Sequence, residues 1–562
     1  MTQTPVPQRP GSRMSVKLHF NGLTGETRPG ISLFTSAEKL GIPVPSSCNK
    51  QGKCKECVVG ITEGAELLSK PGPEERHLKP PFRLSCCARP VQAEGTVRCH
   101  TMRRGAMKIE KHAFELPTGA RKWALDPAVT RDGDRVLLDG TEIDRRTGPI
   151  HGLAIDLGTT TIVIRLLNLE TGEVIADSSF ENPQRFGGSD VMARIQYDTE
   201  DPTKTLQRTL IGYLSRAIRE FPVDPRSIYE VVLAGNSTMR DLFFKLSVYS
   251  IGQSPYQSLT ELELAEGKRT TTSLAEPARK LGLPIHPNAR IYGLPIISGH
   301  VGADAAACML AVDIVNEERI VAVMDIGTNT ELIVGNRHKV LAASCPAGPA
   351  FEGGQLTFGM PGLPGAIEKI TITDDGAVHT TVIGNVPPEG ICGSGLVDVM
   401  SELLRTGRMN ALGRFEEGNE FIVATNGDRP ITFSEADVNA LAQAKGANVA
   451  GLQIAFAEYG IRYSELDVFY LAGGFGRHLN IEASKRIGLI PNIPVEKIVQ
   501  VGNASVEGAC IALLSRAKRA ELEQLVRRVQ HCRLETHPGF FDFFVNGCQF
   551  APVDNPEETA HP

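Results

Sequence analysis

The chain has 562 residues, of which 41% are hydrophobic and 22% charged, with a formal net charge of −6. That is enough chain for three or four ordinary domains, with the balance of a soluble globular protein. Several classes are excluded at this level. The acidic balance gives no electrostatic reason to expect nucleic acid as a partner, and no apolar run reaches the roughly 18 residues of a membrane span. The opening residues, Met1 to Ser12, lack the apolar core of a signal peptide. Twelve cysteines in such a chain point to free thiols and metal ligation rather than disulfides, and to the cytoplasm.

Residues 1–14 are polar and Pro-rich and read as a disordered tail. Residues 15–104 read as a small strand-rich domain. Val16-Lys17-Leu18-His19-Phe20 alternates as a strand does, Asn21-Gly22 supplies a turn, and Ser36 to Leu40 is expected to form a short helix ended by Gly41 and Pro43. Residues 105–150 read as a linker or a reduced middle domain, with one hairpin strand at Arg135-Val136-Leu137-Leu138 before Asp139-Gly140. From His151 the pattern becomes buried strands alternating with helices, the mark of an α/β domain extending over 151–550.

That domain carries an internal repeat. Leu153-Ala154-Ile155-Asp156 and Val321-Ala322-Val323-Met324-Asp325 are apolar strands ending in Asp, each followed by a Gly-Thr turn and a returning apolar strand. The copies are 169 positions apart, which divides the domain into halves at 151–320 and 321–550. Ser434 and Asp437 form a capping box before an Ala-rich helix reaching Tyr459, and residues 551–562 read as a second disordered tail.

Two motifs carry chemistry. Cys48, Cys54 and Cys57 form C-x5-C-x2-C, and Cys86 follows after a 28-residue gap in Arg83-Leu84-Ser85-Cys86. A curled loop can present three sulfurs to two irons while a distant strand brings the fourth, so the set is expected to bind a [2Fe–2S] cluster. Gly52 and Gly60 are expected to relieve crowding where backbone amides approach it. Structural zinc favours two C-x2-C knuckles and only one is present. Cys87 is the alternative fourth ligand, and Cys99 is assigned no role.

The second motif is the repeated Asp-x-Gly-Thr: Asp156-Leu157-Gly158-Thr159-Thr160-Thr161 and Asp325-Ile326-Gly327-Thr328-Asn329-Thr330. Glycine lets the turn aim amides at phosphate oxygens and the hydroxyls donate further bonds. Asp156 and Asp325 can hold hydrated Mg2+ or orient an attacking water, which makes them the expected catalytic residues. Leu471-Ala472-Gly473-Gly474 ends a third strand in paired glycines, and Leu233 to Thr238 is a further strand-to-turn element. Gly299 to Ala305 and Gly502 to Ala509 read as small-residue helices with a mechanical rather than catalytic part. In Ala347 to Gly354, Glu352 reads equally as a catalytic group or a helix cap. Lys445 reads as a solvated helix lysine.

The cysteine pattern is similar to vertebrate-type and putidaredoxin-like ferredoxins, which implies an α+β β-grasp fold and favours Cys86, after Leu-Ser, as fourth ligand. The phosphate motifs and Gly473-Gly474 resemble the superfamily of actin, chaperone ATPases and sugar kinases, which implies a duplicated, ribonuclease H-like α/β ATPase binding ATP. In this order, the two resemble the reductive activators of corrinoid-dependent methyltransferases. That resemblance implies one-electron transfer from the cluster to a corrinoid protein, cobalt(II) to cobalt(I), driven by ATP and fed by an upstream low-potential reductase or ferredoxin. Members with a separate middle domain are linked with dimerisation, and only about 45 residues separate Arg104 from His151 here, so a homodimer stays open.

Three other classes fit parts of the sequence: a small-molecule kinase with a fused ferredoxin, an ATP-dependent electron activator of another low-potential metalloenzyme such as a radical dehydratase, and a redox sensor with a regulatory nucleotide pocket. Dehydratase activators carry cluster cysteines inside the ATPase fold, where Cys345 and Cys392 make an unconvincing pair.

Overall fold

A computed structural model describes residues 15–46, 48–92, 94–102, 123–474 and 476–554. The expected N-terminal tail lies outside these residues, as do the last two residues of the expected domain 15–104, residues 105–122 of the expected linker, and 555–562. The described chain forms two compact units, the first made essentially of the N-terminal 105 residues and the second of nearly all the rest.

The first unit is a five-stranded sheet in the order β2-β1-β5-β3-β4, with β1 Val16–Phe20, β2 Leu23–Thr27, β3 Val58–Glu63, β4 Phe82–Leu84 and β5 Thr96–Thr101. β1 and β2 are antiparallel and pair Phe20 with Leu23. The turn between them places both Asn21 and Gly22 at positive φ, the geometry that suits strand twist in a two-residue hairpin. β1 and β5 run parallel. Val16, Leu18, Phe20, Val59, Ile61 and Val97 form the core, with Cys99 among them, so Cys99 is a packing residue. The helix is Leu33–Lys39 and starts earlier than expected, because Ser32 caps it by accepting from the Thr35 amide at 3.2 Å.

The second unit begins with a three-stranded antiparallel sheet, β6 Val129–Asp132, β7 Arg135–Leu138 and β8 Thr141–Arg145. This is more structure than the one hairpin expected before His151. Val129 and Val136 join the core of the following half, and that burial orders the strands.

The halves then repeat one five-strand topology, with a sixth strand added at different edges, β13 antiparallel beside β14 in the first and β25 parallel beside β17 in the second. The first sheet is β11-β10-β9-β12-β14-β13 and the second is β24-β23-β15-β16-β17-β25. β9 is His151–Leu157, β10 Thr161–Asn168, β11 Val174–Glu181, β12 Ile228–Ala234, β13 Leu274–Pro277 and β14 Arg290–Gly293. β15 is Val321–Ile326, β16 Thr330–Gly335 and β17 Val340–Cys345. β18 to β22 build smaller sheets at Ala366–Ile372, Val378–Val382, Gly390–Ile391, Glu420–Asn426 and Arg429–Ser434. β23 is Val468–Ala472, β24 Ile498–Gly502 and β25 Gln530–His531.

In each half an antiparallel three-strand meander (β9–β11, β15–β17) continues into two parallel strands, β12 and β14 or β23 and β24. Both Asp-Gly-Thr turns are therefore the first hairpin of a sheet. The helices Ala303–Ala311 and Ala504–Leu514 are largely buried, and they approach so closely that a Cβ on Gly508 would lie 2.0 Å from the Ala307 carbonyl oxygen.

The Ser434 capping box opens helix Glu435–Tyr459. Lys445 on it is fully buried rather than solvated, donating to the carbonyl oxygens of Gly547 and, at 2.7 Å, Gln549. Val553, expected in the disordered tail, bridges Pro491 and accepts from the Asn492 amide at 2.9 Å. No described helix is long and apolar enough to cross a membrane.

Candidate functional site

In the first unit the cysteine loop connects the short helix to β3, with left-handed residues at Asn49, Lys50, Gly52 and Lys55. Repeated left-handed turns curl the backbone and aim its amides inward. Amides of Cys54, Lys53 and Gln51 reach Cys48. Burial raises that thiol, yet these amides and the Cys54 side chain outweigh it and pull Cys48 down to about 7. Cys57 and Cys86 lie with their sulfurs 3.3 Å apart, whereas Cys87 is 3.7 Å from Cys86 and less buried.

Among the described residues no three His, Cys, Asp or Glu side chains group as ligands of one metal ion. The sulfurs pair, Cys48 with Cys54 and Cys57 with Cys86, an arrangement that would offer each of two irons two thiolates.

The turn that carries Cys86, just after β4, is held from two sides. Ser85 donates to the Cys57 carbonyl oxygen through its amide (2.8 Å) and its hydroxyl (3.0 Å), which gives the Leu-Ser-Cys sequence a physical reason. Behind it, Arg83 grips the buried Glu75 carboxylate with two bonds of 2.8 and 3.0 Å, and the Leu84 amide adds a third at 2.9 Å. Burial favours the neutral acid at Glu75, but these donors prevail and lower its pKa. Gly60 plays a different part from the one expected. It sits in β3, where a Cβ would fall 2.7 Å from the His100 ring, so its small size serves strand packing.

In the second unit the two phosphate-type turns face one cavity of about 220 Å³. Asp156, Gly158, Thr159, Thr160, Thr161, Asp325, Gly327, Thr328, Asn329, Gly473 and Gly474 all line it. Thr330 does not: it is fully buried at the start of β16 with its hydroxyl unpartnered, and strand alternation gives the cavity Asn329 and Glu331 instead. Gly158 is required by a tight turn, since a Cβ would lie 2.4 Å from the Thr161 carbonyl oxygen. Gly473, at φ +104°, backs onto the second turn, where a Cβ would sit 3.0 Å from Asp325 Oδ1.

The carboxylates are braced across the halves. Asp156, of the first half, accepts from Asn503 Nδ2 (2.8 Å) and Ser505 Oγ (2.9 Å), at the start of a second-half helix. Asp325, of the second half, accepts from the Cys308 thiol (3.2 Å) on a first-half helix. Burial is the main cause that raises Asp325 to about 7, with Asp156 and Glu352 adding negative charge. Asp304, at the start of the Cys308 helix, is raised to about 7 for the same reason, with Asp156 and Asp325 as its charged neighbours.

The first turn is further pinned by Asn236 Nδ2 donating to Thr159 Oγ1 (2.9 Å), Asn182 Nδ2 to the Gly158 carbonyl (2.8 Å) and the fully buried Arg194 to the Thr159 carbonyl (2.6 Å). Sequence reasoning missed Asp304, Glu331, Asn503, Ser505 and Arg194. The signal for the helix residues is Asn and Asp at the head of the small-residue runs 299–305 and 502–509, whose expected part is mechanical. Cys345 and Cys392 are buried apart, in β17 and before helix Gly393–Arg405, where Cys392 donates to the Ile367 carbonyl oxygen.

Comparison with known families follows this division. Residues 20–91 match a 2Fe-2S iron-sulfur cluster binding domain. Residues 151–317 match the RACo middle region, and residues 319–559 match the C-terminal domain of RACo, the ASKHA domain. The chain belongs to the RACo family. The matched middle region is thus the six-stranded first half, not the segment before His151.

This RACo-family chain is 28% identical over 580 aligned positions to the corrinoid activation enzyme RamQ of Eubacterium limosum, covering 91% of this chain and 95% of that one. It is 25% identical to the [Co(II) methylated amine-specific corrinoid protein] reductase of Methanosarcina barkeri, covering 73% and 79%. Among solved structures, a reductive activator for corrinoid, iron-sulfur protein superposes with a TM-score of 0.70 at 26% identity, over 96% of this chain and 99% of that one. The β-grasp and duplicated actin-like folds expected from the sequence are those of the RACo family.

Proposed function

We propose that the protein is an ATP-hydrolysing reductive activase that returns a corrinoid protein of a methyltransferase system from cobalt(II) to cobalt(I). The observation that carries this reading is one chain holding both a paired-cysteine loop and a cross-braced phosphate-type cavity, with a relative matched over 91% of the chain named for corrinoid activation and one matched over 73% named for cobalt(II) reduction.

Cys48, Cys54, Cys57 and Cys86 would hold the cluster, which would supply one electron at a time. An upstream low-potential reductase or ferredoxin would recharge it. ATP would bind between the two turns, with Gly158, Thr159, Thr160, Thr161, Gly327, Thr328 and Asn329 around its phosphates and Gly473-Gly474 toward its nucleoside. Asp156 and Asp325 would hold Mg2+ and orient the attacking water.

The coupling has a thermodynamic reason. Each 59 mV of one-electron deficit costs about a factor of ten in equilibrium, so a cluster near −400 mV reduces a ligated cobalt(II) corrinoid poorly. Closure of the ATPase halves can favour a partner state whose cobalt accepts the electron more easily, provided that the closed form binds that state preferentially.

The test is direct. With a low-potential reductant, ATP and Mg2+, the protein should convert a cobalt(II) corrinoid protein to cobalt(I), followed by absorbance. Asp325→Ala should accept an electron and fail to pass it on. Equal rates with and without ATP would overturn the proposal.

A further inference from the structure

Glu352 stands between the two phosphate turns. It closes a short turn, Ala350–Glu352, that is fixed on both sides. The Gly348 amide donates to the Thr328 carbonyl oxygen at 2.8 Å, and Gly353, at φ +80°, leaves only 2.4 Å between a would-be Cβ and the Met360 nitrogen. From there the carboxyl reaches into the cavity. Thr160 Oγ1, of the first turn, donates to Glu352 Oε2 at 2.9 Å, and Thr328 Oγ1, of the second, donates to the same oxygen. The two threonine oxygens are themselves 2.7 Å apart.

Three oxygens are thus in mutual contact with two hydroxyl hydrogens to share. The third contact is satisfied when the carboxyl carries a proton, and burial raises the pKa of Glu352 in that direction. The charged groups acting on the carboxyl are the guanidiniums of Arg185 and Arg194, while Asp325 is the neighbouring acid. Of the other two hydroxyls of the first motif, those of Thr159 and Thr161, the Thr159 oxygen already accepts from Asn236.

We propose that Glu352 is a specificity-determining residue of the phosphate site: it occupies the Thr160 and Thr328 hydroxyls and must be displaced by the phosphates of a nucleoside triphosphate. This deepens the ATP reading above and rests on it. Among the described residues the carboxyl is bonded to both turns at once, so its displacement is the step at which an entering phosphate takes over the joint between the halves. Nucleotide affinity is then a difference between two sets of bonds to the same donors.

The experiment is calorimetric titration of the full-length protein with MgATP, comparing the parental chain, Glu352→Ala and Glu352→Gln. Alanine reaches neither hydroxyl, so Glu352→Ala should bind ATP about tenfold more tightly, the worth of a hydrogen bond that no longer competes. Glutamine keeps an oxygen in place and should stay within about threefold of the parental affinity, which also separates competition for hydroxyls from a change of fold. Unchanged or weaker binding by Glu352→Ala, beside normal parental binding, would overturn this inference and leave the ATPase reading standing. Absence of nucleotide binding in the parental chain would overturn both.

Discussion

The cysteine loop and the phosphate cavity solve the same problem, holding reactive groups still, by opposite means. The cluster site is local: Cys48, Cys54 and Cys57 lie on one curled loop, and Cys86 is brought up by a strand that pairs directly with β3. The phosphate site is assembled. Asp156 depends on residues almost 350 positions away, at Asn503 and Ser505, and Asp325 on a thiol in the other half. A local site stands or falls with its own loop. An assembled one depends on the closure of two halves, so its chemistry can be tuned from a distance, and ATP-driven machines need that property.

The largest effect expected from this contrast is at the cluster. Cys54→Ala or Cys57→Ala removes a thiolate that no neighbour replaces, so iron and sulfide content should fall to background while ATP binding persists. Cys86→Ala should retain part of the cluster through Cys87, read by iron analysis and by the reduced-state spectrum. Full loss in Cys86→Ala would show that Cys87 cannot take its place.

At the assembled site, Asp156→Ala and Asp325→Ala should each lower partner-stimulated ATP turnover about a hundredfold, the usual cost of removing a preorganised charge, with cluster content unchanged. Turnover at the parental rate in both would remove these carboxylates from the mechanism.

The braces should grade the comparison further. Ser505→Ala should slow turnover about tenfold, as expected for a hydrogen bond to a charged group. Cys308→Ala should cost only about threefold, because a thiol is a weak donor. Cys308→Ser, which supplies a stronger donor, should match or exceed the parental rate. Equal losses for Ser505→Ala and Cys308→Ala would mean that the two halves brace their acids alike.

On the cluster side, Glu75→Ala leaves Arg83 buried without its partner and should destabilise the first unit by about 3 kcal/mol, measured by denaturant unfolding with cluster absorbance as the probe. The smallest effect concerns Lys445, which burial lowers to about 8. Between that value and the ordinary lysine pKa near 10.4, the unfolded chain binds a proton that the folded chain does not. Its contribution to stability therefore rises with pH across this window and is flat below it. Unfolding midpoints for the parental protein and Lys445→Met should accordingly diverge from pH 8 to 10, with the parental chain gaining.

Several of these features were legible in the sequence for definite reasons. The 2Fe-2S domain could be read from cysteine spacing because the loop is short and its curl is local. Asp156 and Asp325 could be found because duplication places the same motif at the same strand end twice. The repeat also misled at one position: Thr161 and Thr330 align, yet only Thr161 reaches the cavity, since the pleat turns Thr330 into the core. Lys445 was misread because helix Glu435–Tyr459 is apolar on more than one face, buried along much of its length, so no polar stripe separates a solvated lysine from one that satisfies a chain end.

By itself the sequence determined the two-part composition of this protein, the repeated strand–Asp–Gly–Thr hairpins and the helix with its capping box. All of these rest on interactions within about thirty residues, where backbone geometry and side-chain period leave few alternatives. Tertiary structure alone decided that Asn503 and Ser505 hold Asp156, that Cys308 holds Asp325, that Asp304 and Glu331 face the same cavity, and that Glu352 joins the two turns. Those contacts are made by helix starts and turns carried into place when the duplicated sheets pack around the closely approached helices. A carboxylate's partner and its pKa are then set by the burial and charge that packing produces, which no spacing in the chain encodes.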